Sequence, residues 1–448
     1  MRIYLMWLLI GLAFAGAACA PADSIGSSAS AELPAITAAP DKKAENISPA
    51  VAAEAPPTLT KTKAPTITAT AVPIETAVAT TEATLPAPTA VTPTVDPAEK
   101  PPAGAVNQFR TDFKIHSIPY NEIFSGGPPK DGIPAIDSPQ FVSVNEAGEW
   151  LGDLEPVTVF QEQGVVRVYP FQILMWHEIV NDVVNGRAIA VTFCPLCNTA
   201  IVFDATVNGQ SLDFGTTGRL RFSNLLMYDR QTQSWWQQAS GEAVVGKLTG
   251  SQLTFLPSSI ISWAEARDKY PDAQVLSRET GHQRRYGSNP YLGYDNITGS
   301  PVLFQGQVSD QLPAMARVTT VDMNDEAVAY PNEVLQELGV VNDRVGGIDV
   351  VVFWQPGLAS ALDSSSIAAG QDVGANGVFE RILNGQTLAF TVNDDVITDE
   401  QTNSTWNIFG EATAGELAGE VLTPVVKVDH FWFSWAAFRP DTRIYQQP

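Results

Sequence analysis

The sequence predicts a β-rich α+β fold made of two degenerate internal repeats, at about 165–276 and 326–445, packed as one pseudo-twofold unit. Three observations lead there: an ordered series of residues recurs along the chain, Asn-Gly pairs sit between β-type runs, and stretches of helical period are few and short.

The series begins with Tyr169-Pro170, which returns as Tyr330-Pro331, and Asn181-Asp182, which returns as Asn342-Asp343, both 161 residues later. Gly186 matches Gly347 at the same offset. Ala190-Val191-Thr192-Phe193 corresponds to Val350-Val351-Val352-Phe353, and Asn208-Gly209-Gln210-Ser211-Leu212 to Asn384-Gly385-Gln386-Thr387-Leu388. Asp229, Thr232, Ser234 and Trp236 reappear as Asp399, Thr402, Ser404 and Trp406, and Ser262-Trp263 closes the series against Ser434-Trp435. The offset drifts from one block to the next, as loop insertions would make it do. Asn-Gly between apolar runs is a tight-hairpin signal, because both turn positions need positive φ. The matched Trp residues read as core anchors. Helical period is confined to Pro170 through Val183 and to Asn332 through Leu338, and Asp182, matched by Asp343, reads as a cap or turn residue.

The N-terminus belongs to a different regime. Arg2 followed by the apolar run Ile3 to Ala18 is too short to span a bilayer and has the form of a signal peptide, residues 1–19. Gly16-Ala17-Ala18-Cys19 has the form of a lipobox, which makes Cys19 the lipidated residue of an extracytoplasmic bacterial lipoprotein, although Gly16 stands where Leu is usual. Plain cleavage at Ala18-Cys19-Ala20 is the other reading. Residues 20–104, rich in Ala, Thr and Pro, have too little to bury and form a disordered tether. The folded region is 105–448.

The net charge of −23 excludes a nucleic-acid partner, which needs a basic stripe. The expected partners are the membrane, through the lipid, and an envelope or redox partner. There are three cysteines, Cys19, Cys194 and Cys197. With Cys19 acylated, the other two form a self-contained pair.

The repeats supply an internal comparison. Trp176-His177-Glu178 stands where the second repeat has Glu337-Leu338-Gly339, and Cys194-Pro195-Leu196-Cys197 where it has Trp354-Gln355-Pro356-Gly357. His177, Glu178, Cys194 and Cys197 are therefore absent together from the second repeat, which marks them as the candidate site. Two thiolates at Cys-x-x-Cys spacing converge on one metal or close a small disulfide ring. With the His177 imidazole they suit copper, zinc or iron, and Glu178 serves as a further ligand, a partner of a ligand or a general base. Three readings of the pair stand: a metal site, a redox-active dithiol, and a structural disulfide, the last matching a non-enzymatic envelope binding module. Residues Asn198 to Phe203 read as a strand, so the pair sits in a strand-turn-strand knuckle and not at the helix N-terminus of a thioredoxin-like site. His282, in a polar loop with Tyr291, Tyr294 and Asp295, and His430 are secondary candidates. Met227 reads as core.

Trp176-His177-Glu178-Ile179-Val180-Asn181-Asp182, Phe193-Cys194-Pro195-Leu196-Cys197, Met227-Tyr228-Asp229-Arg230, Ser262-Trp263 and Gly287-Ser288-Asn289-Pro290-Tyr291 together resemble the domain of unknown function family 3179, over about residues 110–445. That resemblance groups the chain and implies no established activity.

Overall fold

At both Asn-Gly pairs the backbone does what the turn chemistry demands. Asn208 and Gly209 have φ of 51° and 77°, Asn384 and Gly385 51° and 79°. The first pair joins Thr206–Val207 to Gln210–Ser211 and the second joins Ile382–Leu383 to Gln386–Thr387, each as an antiparallel ribbon. The structure, a computed structural model, describes residues 99–446. The signal peptide, Cys19 and most of the tether lie outside the described residues.

The architecture is β-rich α+β. In the N-terminal half, one sheet has the order Ser259–Ser262, Pro156–Glu162, Val165–Pro170, Gln274–Leu276, Phe141–Ser143. A second runs Thr254–Leu256, Thr199–Asp204, Arg187–Cys194, Ile179–Val184, and a third Ile123–Ser125, Phe214–Arg221, Asn224–Asp229, Trp235–Gln237, Glu242–Val245. In the C-terminal half the sheets have the orders Val428–Phe431, Arg317–Met323, Glu326–Pro331, Arg443–Ile444, then Val340–Val345, Ile348–Gln355, Ala375–Glu380, and then Phe390–Asn393, Val396–Asp399, Thr405–Trp406, Ala412–Ala414. Strand Thr199–Asp204 packs on Val428–Phe431, and Ser259–Ser262 on Ala375–Glu380. The buried clusters cross the boundary: Phe431 and Phe433 join Phe171 and Phe193, and Leu358 and Ala375 join Trp263. Trp235, Trp236, Trp263 and Trp432 are fully buried, as is Met227.

The helices are short. Phe171–His177 is buried along nearly its whole length, so packing holds it and not intrinsic propensity. Trp263–Lys269 starts with a capping box, in which Ser262 and Glu265 satisfy each other's backbone N–H, worth about 1 kcal/mol. Asn332–Leu338 matches its predicted span. Helix through Val183 does not form. The helix stops at Glu178, whose φ of 58° turns the chain and whose N–H closes on the Leu174 carbonyl, 2.8 Å away. Ile179–Val184 is then a strand, suited to its β-branched residues. Asp182 accordingly is neither a cap nor a turn residue: it lies in that strand, accepts the Tyr169 hydroxyl at 2.7 Å and faces Arg167. Tyr330 and Asp343 make the same bond at 2.8 Å. Among the described residues, no helix is long and apolar enough to cross a membrane.

Candidate functional site

The knuckle is built from two hydrogen-bonded strands. Arg187–Cys194 delivers Cys194, a single 3-10 turn Pro195–Cys197 reverses the chain, and Asn198 in the left-handed region (φ 52°) releases it into Thr199–Asp204. Cys194 pairs directly with Thr199 in the ladder. This brings Cys194 and Cys197 within 3.6 Å of each other, both buried and neither in a disulfide. The Cys194 thiol donates weakly to the Ser223 carbonyl at 3.6 Å. Burial drives its pKa well up, and the neighbouring Cys197 and Glu178 add to the rise.

Glu178 is brought to the same place from the helix end. Its backbone carbonyl accepts the Phe193 N–H, one residue before Cys194. Its side chain is buried, and burial alone raises its pKa from 4.5 to about 8. At the equivalent helix end the C-terminal half has Gly339, also left-handed at φ 66°. A glutamate therefore occupies a conformation that glycine adopts at less cost, and it holds a desolvated carboxyl there.

His177 faces another way. Its Nδ1 lies 2.7 Å from the Pro134 carbonyl, so that nitrogen carries the proton, and its Nε2 accepts the Tyr286 hydroxyl at 2.7 Å. Burial lowers its pKa to about 4. His282 stands beside it, ring centroids 5.5 Å apart, and is exposed. Both His177 nitrogens are thus engaged in a group of its own with Tyr286 and Thr280. Among the described residues, no set of three or more His, Cys, Asp or Glu side chains is placed to hold a metal ion. Cys194 and Cys197 lie together, Glu178 is near enough to raise the Cys194 pKa, and the His177 ring turns to Pro134 and Tyr286. His430 is a core histidine with one nitrogen satisfied: Nδ1 bonds Thr199 at 2.8 Å and Nε2 has no partner. Its pKa falls to about 3 through burial.

The sequence sets Tyr291 and Tyr294 beside His282 in a polar loop without linking them to the thiols. Tyr291 and Tyr294 lie over the knuckle, and the pKa of each is raised by burial first and then by the groups beneath, Glu178 and Cys194 for Tyr291, Cys197 and Cys194 for Tyr294. The Tyr294 hydroxyl donates to the Leu196 carbonyl at 3.0 Å and accepts the Val302 N–H at 3.3 Å. Ser223 in turn donates to the Val302 carbonyl at 2.7 Å. The segment from Tyr291 to Val302 is therefore a cover pinned directly to the turn between the cysteines. The available signal was two tyrosines three residues apart in an otherwise polar loop.

Removing those pins should expose the thiols. In a Tyr294→Phe chain, loss of hydrogen bonds worth about 1 kcal/mol each is expected to speed alkylation of reduced Cys194 and Cys197 by roughly tenfold. Iodoacetamide labelling followed by mass spectrometry reads this directly, and an unchanged rate would show that the cover does not gate access.

The family described as Protein of unknown function (DUF3179) matches residues 130–442. No curated protein and no solved structure matches the chain. The match spans most of the sequence, and the chain belongs to this family.

Proposed function

We propose that this family member is an exported, membrane-tethered protein whose folded region carries a thiol–disulfide redox centre at Cys194 and Cys197, with Glu178 handling the proton. The observation that carries the reading is the Glu178 carboxyl. A structural disulfide has no use for a buried acid in a left-handed position, and such a group costs stability wherever it is not needed. A proton acceptor whose pKa is raised toward that of a thiol is what dithiol chemistry requires.

In the forward direction the Cys194 thiol passes its proton to the Glu178 carboxylate, and Sγ attacks a partner disulfide, expelling one partner sulfur as thiolate. Cys197 then displaces the second partner sulfur and closes the Cys194–Cys197 bond. Two electrons go to the partner, which leaves as two thiols. The reverse reaction oxidises a dithiol partner, with protonated Glu178 serving the departing Cys194 sulfur. The cover must open for either direction, since both thiols are buried.

The same reading takes the folded region as an internal duplication about a pseudo-twofold axis. It is supported by the parallel sheet orders of the two halves and by their reciprocal packing, Thr199–Asp204 on Val428–Phe431 and Ser259–Ser262 on Ala375–Glu380. Cys19 is the proposed lipid attachment point, and an envelope protein bearing a disulfide or dithiol is the proposed partner.

The test uses the full chain recovered from the membrane fraction, with the Cys194–Cys197 peptide quantified by mass spectrometry across a glutathione redox series and bound metal measured alongside. Reversible exchange of two electrons at a potential above about −300 mV is expected. A disulfide that resists that series would mark the pair as structural. Stoichiometric metal lost in Cys194→Ser would overturn the redox reading in favour of a metal site, and recovery only in the soluble fraction would remove the anchor.

A further inference from the structure

A cavity lies where the two halves meet, with about 540 Å³ of empty space, part of it open to solvent. The part of it that a water-sized sphere can occupy is only about 50 Å³, so an occupant must be a molecule of a few heavy atoms. Its walls come from matching places in the two halves. Pro156 and Arg317 pair with Ser262 and Phe431, Ile260 and Asp429 face Thr158 and Thr319, and Phe171 and Asn332 open the helices that follow Pro170 and Pro331. At each of these three matched places the N-terminal half supplies an apolar residue and the C-terminal half a polar one. Val318, Leu358, Ala361 and Val373 add apolar surface from the C-terminal half, so the polar groups are set in an otherwise apolar lining. Asn198, next after Cys197, also lines it.

The charges among these polar groups are already balanced. Arg317 is paired with Asp295 at 2.8 Å, and Lys427 with Asp429 at 2.5 Å. Burial works against ionisation of Asp429, but Lys427, Thr319 and Asn376 outweigh it and hold the carboxyl below its usual range. Hydrogen-bonding capacity remains. The Arg317 Nη2 is taken by Asp295 and Ser360, which leaves Nε and Nη1 without a hydrogen bond among the described residues. Asn376, also on the lining, spends its Nδ2 on Asp429 at 3.2 Å, and its buried Oδ1 has no partner. A buried acceptor left in that state costs about 1–3 kcal/mol.

We infer that this cavity is a binding site for a small uncharged amphipathic molecule of the carboxamide class. Its carbonyl accepts from Arg317, its N–H donates to Asn376, and its short apolar body lies on Pro156, Phe171 and Ile260. Net charge on the ligand is disfavoured because each cation near the polar groups already has its carboxylate. The site needs no thiol chemistry, and so it stands or falls apart from the redox centre.

The probe is butyramide, titrated into the methyl-labelled full chain and followed by NMR at Ile260, Leu358 and Val373, against butyrate and butylamine at equal concentration. Saturable shifts in the millimolar range are expected for the amide, with binding of the two charged analogues at least tenfold weaker. Val373→Phe, which fills the cavity, should abolish the shifts, and Arg317→Lys, which keeps the charge but loses the planar donors, should weaken binding about tenfold. Cys194→Ser should bind as the parent does. Butyrate binding as tightly as the amide, binding that survives Val373→Phe, or no saturable shift in the parent chain would overturn the inference. The three-probe comparison on the parent is decisive even if the filled variant does not fold.

Discussion

At pH 8 a Glu178→Gln chain is expected to unfold at higher denaturant than the parent, and the advantage should vanish toward pH 4.5. The folded state holds the Glu178 carboxyl protonated to about pH 8, whereas the unfolded chain releases that proton near 4.5. Between those values the folded protein binds a proton that the unfolded chain has lost, so rising pH removes stability, at about 1.4 kcal/mol per pH unit at most. Gln cannot titrate and does not suffer this loss. Glu178→Gly should gain the same pH-dependent amount and roughly 1 kcal/mol more at every pH, since the left-handed φ of 58° no longer carries a side chain. Both variants should slow disulfide exchange by about 10²-fold, the usual scale for losing a general acid–base group. A variant that gains stability and keeps its exchange rate would show Glu178 to be only a burden.

The acidic limb has the opposite slope. His177 and His430 are held neutral by burial down to about pH 4 and 3, while an unfolded imidazole binds its proton near 6.5. As pH falls below 6.5 the unfolded chain takes up protons that the folded chain refuses, and stability is lost. These three groups together place the parent's maximum near pH 6.5. In Glu178→Gln the alkaline side of that maximum should flatten and the acidic side should steepen, because the opposing proton of Glu178 is gone down to pH 4.5.

What the sequence made legible followed physical periodicity and turn chemistry. The Asn-Gly hairpins, the helix at Asn332–Leu338, the knuckle strands and the buried Trp residues all rest on local rules, and the described residues carry them. The helix from Pro170 was read too long because Ile179, Val180, Val183 and Val184 are apolar in either period. What ends it is the left-handed Glu178, a conformation that no propensity assigns to glutamate. For the site, residues singled out in the first repeat included Cys194 and Cys197, which lie 3.6 Å apart, and Glu178, whose charge acts on Cys194. His177 was grouped with them because it adjoins Glu178 in sequence, yet the left-handed turn at Glu178 separates their directions and the imidazole goes to Pro134 and Tyr286. Looking for conspicuous residues in the first repeat also passed over Asn332 and Asp429, and Arg317 falls before the second repeat's expected start at 326. Polarity at those positions stands out only beside Pro156, Phe171 and Ile260, and that comparison needs the strand register, which sets Ser262-Trp263 against Phe431-Trp432 and not against Ser434-Trp435 as in the sequence series.

Asp229 and Asp399 offer a test of whether the two halves unfold as one body. Asp229 accepts the Thr232 N–H at 2.5 Å, the Ser234 N–H at 3.1 Å and the Trp236 indole N–H at 3.0 Å, with the Thr232 hydroxyl in addition. Asp399 accepts the same four donors from Thr402, Ser404 and Trp406, at 2.6–3.1 Å. Both carboxylates are fully buried and tie a turn, through Gln233 or Asn403 at positive φ, to a core tryptophan. Replacing either with Ala strands several buried donors at once and is expected to cost about 3–5 kcal/mol. Asn should be little better, because its amide N–H₂ meets N–H donors whichever way it is turned. Because strands and clusters cross between the halves, Asp229→Ala and Asp399→Ala should each lower the midpoint of a single urea transition by similar amounts, with the slope unchanged. Two transitions, with each variant moving only the one from its own half, would instead mean that the halves are independent bodies, and the pseudo-twofold unit with a shared core would be wrong.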